Sequence, residues 1–316
     1  PDTRLRKDLG TWDLIVFGVA VVVGAGIFTV TASTAGDIAG PSISLAFVIA
    51  AIACGLAALC YAEFASTVPV AGSAYTFSYA TFGEFIAWII GWDLVLEFAG
   101  GSAVVSKAWS EYLATLFGQM GAEVPTAIPL GPLTLDWGAL VLVVALTTVL
   151  ALGTKLSSRV SMVFTAIKVG VVLLVIVVGF GYINAANYSP FIPPAATGSD
   201  SDGGLQQSLL SVLGGGSSST YGIYGLLAAS SIVFFAFIGF DVVATTAEET
   251  RNPQRSVPRG ILGSLAIVTV LYVAVALVLT GMVSYTELAT QPDGTRATLA
   301  TAFASLGVNW AATVIA

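Results

Sequence analysis

The chain has 316 residues, 56% of them hydrophobic and 9% charged, with a mean hydropathy of +0.93 and no histidine. That balance excludes an ordinary soluble domain and indicates a polytopic membrane protein. The formal charge of −7 does not describe a surface here, because several carboxylates sit inside apolar runs where each needs its own reason, and the basic residues are too few and too dispersed to hold nucleic acid.

With about 20 apolar residues needed per crossing, spans are expected near residues 12–36, 42–66, 82–116, 137–153, 158–181, 223–248, 260–283 and 298–316. Residues 1–11 read as a cytoplasmic tail and 12–316 as one transmembrane domain. The first span contains "VVVGAGIFTV", Val21 to Val30, with its weakest helix formers at its centre. Unwinding at Gly24, Ala25 and Gly26 frees backbone N–H groups at the start of the outer half-helix, where the helix dipole is positive. Ala25, Gly26 and Ile27 then make a site for an anion such as a carboxylate. Glycine also lets membrane helices pack closely, so one such triplet does not decide between the two roles.

In the second span Cys54 and Cys60 have no metal-ligand partners, and both read as core residues. The third span is too long for a perpendicular crossing and is expected to tilt or protrude. Asp93 and Glu97, four apart, share one of its faces. Glu97 lies deeper and is the candidate functional acid, while Asp93 is equally a structural acceptor. Lys107 and Glu111 have the spacing of a helix-surface ion pair.

Lys168 stands in the middle of the fifth span, in "FTAIKVGVV". A charge at that depth costs at least about 2.5 kcal/mol on insertion scales, so it requires a partner or a water-filled cavity. Held so, it can alternate between protonated and neutral forms. Snorkelling to the interface is the bland alternative. Residues 182–221, with "TGSDSDGG" and "LGGGSSST", read as an exposed extracellular loop.

The sixth span repeats the first anomaly in "FFAFIGFDVV", Phe234 to Val243. Its inner half ends in freed carbonyl oxygens suited to an ammonium group, with Phe235 and Ile238 as the expected donors of those oxygens. Phe237 or Phe240 is positioned to cover a bound molecule, although phenylalanine fills cores just as often. Breaks in spans one and six, five spans apart, lie in units that cross the membrane in opposite senses. Such paired, interrupted segments point to a transporter site at the membrane midplane. The first repeat covers about residues 12–181 and a partial second repeat about 222–316.

Arg4, Arg6, Lys7, Lys155, Arg159, Arg251, Arg255 and Arg259 fall on one side of eight alternating spans, against Arg296 on the other. The positive-inside rule then puts the N-terminus in the cytoplasm. The sequence has no phosphate loop, metal-ligand cluster or nucleophile–base pattern, so no cofactor, metal or enzyme chemistry is expected.

"VGAGIF", "FIGFD" and "AEETRNPQRSVPRGI", together with "ALCYAEFASTVPVAGSAYTFSYATFGEFIAWIIGWDLVLEF" from Ala58 to Phe98, resemble the amino acid, polyamine and organocation (APC) superfamily. The likeness is closest to its cationic amino acid transporter branch and the bacterial relatives of that branch. It implies an all-α, five-plus-five inverted-repeat membrane transporter with discontinuous helices 1 and 6. Members carry more spans than these eight, so the chain reads as truncated within helix 8.

The implied activity is secondary active transport of an amino acid in the cell membrane, with proton-coupled symport by alternating access. Exchange or facilitation without net proton movement, or sensing without transport, are the alternatives. On the matching positions the substrate carboxylate falls to Ala25, Gly26 and Ile27, beside Gly24, and its amino group to Phe235 and Ile238. Lys168 takes the place where sodium binds in other families of this fold, and Glu97 and Asp241 are implied in proton coupling.

Overall fold

The computed structural model describes residues 8–67, 72–119, 121, 127–130, 133–152, 158–195, 220–290 and 296–316. Within these the fold is helical, and five stretches are long and apolar enough to cross a membrane: Gly26–Thr67, Glu84–Gly118, Val163–Phe180, Gly222–Thr245 and Pro253–Met282. Two shorter apolar helices, Thr11–Val22 and Trp137–Ala151, complete the expected crossings one and four.

Helix α1 (Thr11–Val22) opens where the Asp13 carboxylate accepts the Gly10 N–H at 2.8 Å, and it stops at the Gly-Ala-Gly break. Helix α2 (Gly26–Thr34) resumes the path. A widened turn at Ala35–Ala39 and the Gly40–Pro41 corner then reverse the chain into α3 (Ile43–Thr67). The buried stripe of α3, Ala46, Ala50, Cys54, Ala58 and Ala62, recurs every fourth residue and is small throughout. Small side chains let helices approach closely where lipid provides no hydrophobic drive. The neighbour they admit is α10 (Pro253–Met282).

Helix α10 is the spine. Its buried face, Val257, Ile261, Leu265, Val268, Tyr272, Val275 and Leu279, follows a helical period and packs against α1 and α3 together. Helix α4 (Ser73–Phe82) is a separate element that the expected span boundaries leave out; Gly83 divides it from α5 (Glu84–Gln119). The 36 residues of α5 extend about 54 Å at 1.5 Å each, well beyond a hydrocarbon core of about 30 Å.

A two-stranded hairpin follows, β1 (Ala127–Leu130) and β2 (Leu133–Asp136), before α6 (Trp137–Ala151) and α7 (Ser158–Phe180). Helix α8 (Gly222–Val233) passes through a tight turn at Phe234–Phe237 and the second break into α9 (Val242–Thr245).

Several expectations are corrected. Residues 298–316 form two short helices, α11 (Leu299–Ser305) and α12 (Asn309–Ile315), turned at Gly307, rather than one span. Span seven begins at Pro253, because Pro253 sits in the first turn, where its missing N–H costs nothing. Cys54 is buried as expected, but Cys60 is exposed. Lys107 pairs with Asp136 at 3.0 Å instead of with Glu111; the cap of α6 brings that carboxylate closer than the helical neighbour, and Glu111 faces the charges of Arg296 and Lys107 together. Arg4, Arg6, Lys7 and Lys155, and most of the loop expected at 182–221, lie outside the described residues.

Candidate functional site

The first break is a local hydrogen-bond problem solved in a small space. The Gly24 N–H turns back to the Val22 carbonyl at 2.7 Å, and the N–H groups of Phe28 and Thr29 both reach the Ala25 carbonyl at 3.0 Å. The first N–H groups of a helix have no acceptor inside it, which leaves the amides of Ala25, Gly26 and Ile27 to face whatever lies beyond the start of α2. The dipole of α2 adds partial positive charge there.

The second break has the opposite polarity. Its tight turn ends where Ile238 leaves helical geometry, at φ −54° and ψ 135°. Gly239 follows at φ +106°, a conformation that side-chain-bearing residues rarely adopt. Ile238 donates its N–H to the Phe235 carbonyl at 3.3 Å, and Phe240 donates to Phe237 at 3.4 Å. Each carbonyl oxygen has two lone pairs, so the Phe235 oxygen keeps accepting capacity.

The breaks touch one another. A Cβ on Gly26 would lie 2.6 Å from the Ala236 Cα, so the two backbones meet with no room for a side chain. On the far side Tyr272, fully buried, donates its hydroxyl to the carbonyls of Val22 at 2.7 Å and Ala236 at 3.0 Å. One phenolic proton thus serves both unwound segments.

A cavity of 380 Å³ opens beside this junction. Gly24, Ala25, Gly26, Phe235 and Ile238 line it together with Glu97, so six of the expected site residues converge. Gly101, Ser102 and Ser106 of α5 and Leu142, Leu146 and Thr147 of α6 complete the wall. A Cβ at Gly101 would come no closer than 4.0 Å to Phe235, which leaves space on that side for a substrate side chain.

Other expected residues lie apart from the cavity. The Ile27 side chain is fully buried, leaving only its amide near the junction. Phe237 is also fully buried and packs edge-on against Phe47 and tilted against Tyr272, at centroid distances of 6.2 and 5.2 Å, which makes it core and not cover. Phe240 packs edge-on against Tyr61 at 5.8 Å. Asp241 accepts a hydrogen bond from the Ser73 hydroxyl at 3.1 Å, at the start of α4, and its charge is felt by both Glu97 and Tyr61.

Lys168 reaches from α7 to donate to the Ala20 carbonyl, in the last turn of α1. There it meets the negative end of the half-helix dipole. Partly buried lysine and freed carbonyl answer each other's need for a partner.

Tyr272 and Tyr112 are the participants that the sequence reading passes over. Tyr112 donates to the Phe28 carbonyl at 2.9 Å and accepts the Leu299 N–H at 3.3 Å, tying α5, α2 and α11 together. The available signal was a hydroxyl in an apolar run, as in "VTVLYVAVAL", since a buried tyrosine requires a polar partner. Among the described residues no group of three or more cysteines or acids is placed to hold a metal ion.

Similarity to known proteins identifies the family. The family model described as amino acid permease matches residues 9–316. The branched-chain amino acid permease BcaP of Bacillus subtilis is 40% identical over 99% of this chain and 62% of its own length. The methylthioribose transporter of the same organism is 37% identical over 90% of this chain and 57% of its own. Human cationic amino acid transporter 4 is 36% identical over the whole of this chain and 46% of its own. The chain thus spans about half the length of the curated relatives it matches. With nearly every described element inside the matched range, the chain belongs to the amino acid permease family of the APC superfamily, a family of multi-pass membrane permeases and not of enzymes.

Proposed function

We propose that the full-length protein is a secondary active amino acid transporter that holds its substrate by the backbone. The carrying observation is the junction itself: Gly24, Ala25 and Gly26 at the first break line one cavity with Phe235 and Ile238 at the second. A carboxylate on the amides and an ammonium on the carbonyls describe an α-amino acid. Both α1 and α8 are 12 residues long and lead into a glycine-containing break, α8 by way of the Phe234–Phe237 turn, which supports reading the two units as inverted repeats.

The ionisable groups support proton-coupled symport. Lys168 holds the end of α1, while Glu97 borders the cavity within electrostatic reach of Asp241. A change of charge on Lys168 alters how the end of α1 is held, and one on Glu97 alters the field at the cavity, so either can couple protonation to alternating access. The N-terminus is assigned to the cytoplasmic side of the cell membrane. The support is that Leu9 exchanges backbone hydrogen bonds with Glu249 and Arg251 at 3.1 Å each, next to the basic residues Arg251, Arg255 and Arg259.

The test is reconstitution of the full-length protein in liposomes with an imposed pH gradient, inside alkaline. Accumulation of labelled amino acid above its outside concentration, abolished by a protonophore, is expected. Counterflow without gradient-driven accumulation would establish exchange instead, and saturable binding without flux would establish a sensor. The methylthioribose transporter among the relatives favours one further reading, a substrate with no amino acid backbone. Methylthioribose therefore belongs in the competition panel.

A further inference from the structure

Tyr272 is fully buried, and its ring is fixed between Phe47 and Phe237 at centroid distances of 5.7 and 5.2 Å. Its hydroxyl consequently has one position, and from that position it engages both breaks. The Val22 carbonyl already accepts the Gly24 N–H, so the tyrosine uses its second lone pair and completes that group. Ala236, the other acceptor, is the residue beside Phe235 and the one whose Cα abuts Gly26. Helix α10, continuous from Pro253 to Met282, carries the clamp past both segments as one rigid body. Every group in this arrangement lies within the described residues.

We infer that Tyr272 is a positioning residue that fixes the separation between the amide cluster of Ala25–Ile27 and the carbonyls at Phe235 and Ile238, and thereby selects α-amino acids over their β-homologues. The inference rests on the backbone-binding reading above. An α-amino acid has one carbon between ammonium and carboxylate, and a β-amino acid has two. Two anchors at a fixed distance accept the first spacing and strain the second, whereas anchors able to slide accept both. The Gly26–Ala236 contact limits their approach from one side, and the Tyr272 hydroxyl limits their parting from the other.

The experiment compares the full-length protein with its Tyr272→Phe variant, which removes the hydroxyl and keeps the ring. Each is reconstituted, and transport efficiency is measured for the α-amino acid carried best and for the β3-homologue with the same side chain. The unaltered protein should prefer the α-form by about tenfold or more, the discrimination that one methylene provides in a fitted site. In Tyr272→Phe, α-amino acid uptake should fall while the preference shrinks to about threefold or less. An equal fall for both substrates would overturn the inference and leave Tyr272 as a packing residue, as would an unaltered protein without α-preference. If Tyr272→Phe does not fold, Ala236→Gly decides. It keeps the tyrosine and slackens its second acceptor, so an unchanged preference there overturns the inference equally. Absence of any amino acid uptake by the unaltered protein refutes instead the backbone-binding reading itself.

Discussion

Lys168 donates to the carbonyl oxygen of Ala20, so the charge in the middle of the fifth span ends on the last turn of α1. That carbonyl loses its helical donor because the helix stops at Val22, and the lysine supplies the missing proton. Lys168→Ala should leave binding measurable but abolish uptake driven by a pH gradient, with a fall of at least about tenfold, the worth of roughly 1.4 kcal/mol. Paired counterflow and gradient-driven assays check it. Unchanged gradient-driven uptake would remove the lysine from coupling.

Gly26 carries the sharpest steric prediction. Its missing Cβ would fall 2.6 Å from the Ala236 Cα, which is backbone and cannot swing aside. Gly26→Ala should destabilise the protein by about 1–3 kcal/mol, the usual cost of overpacking, and lower uptake by prying the breaks apart. Thermal unfolding in detergent beside uptake measures both. Gly101→Ala is the control for the cavity wall, since its Cβ meets nothing closer than 4.0 Å and stability should hold.

How much of this was legible beforehand depends on the range of the physics involved. Both breaks could be read because Gly-Ala-Gly and Ile-Gly-Phe interrupt runs that otherwise favour helix. Lys168 stood out because a charge in hydrocarbon always demands a partner. Which partner was invisible, since Ala20 is 148 positions away. Lys107 misled for the same reason: the local rule favoured Glu111, whereas Asp136 arrives through a hairpin that no periodicity signals. Phe237 and Phe240 are alike in composition, and only packing against Tyr272 and Tyr61 turns them into core. Tyr272 itself announced a need for an acceptor without naming the two segments that fill it.

Tyr112 should prove a stability residue. Tyr112→Phe leaves the Leu299 N–H without its acceptor and takes the second donor from the Phe28 carbonyl, at a cost of about 1–3 kcal/mol for a buried unmet group. Hydrogen exchange should rise in α11 and at the start of α2 more than in α3. Uniform exchange across the molecule would contradict the tie.

Asp136 gives a pH dependence outside the spans. Partial burial raises its proton affinity, but hydrogen bonds from Ser110 at 2.5 Å, the Ala139 N–H at 3.1 Å and Lys107 at 3.0 Å outweigh it and hold the carboxyl below its ordinary value. A lowered carboxylate stabilises fully above its unfolded value, about 4, and loses that contribution as pH falls through its folded value. Exchange at the start of α6 should therefore accelerate below about pH 4, and Asp136→Asn should remove that acid dependence while raising exchange at neutral pH.

The most direct measurement of backbone recognition is competition by substrate analogues in the reconstituted full-length protein. The α-amino acid carried best is set against its methyl ester, its N-acetyl derivative and the amine left by decarboxylation. Binding of the proposed kind, by amides at Ala25–Ile27 and carbonyls at Phe235 and Ile238, requires both poles of the substrate, so each single-pole analogue should compete at least about tenfold more weakly, as when a site loses a charge-assisted partner. An ester or amine that competes as well as the parent amino acid would contradict binding by the two breaks.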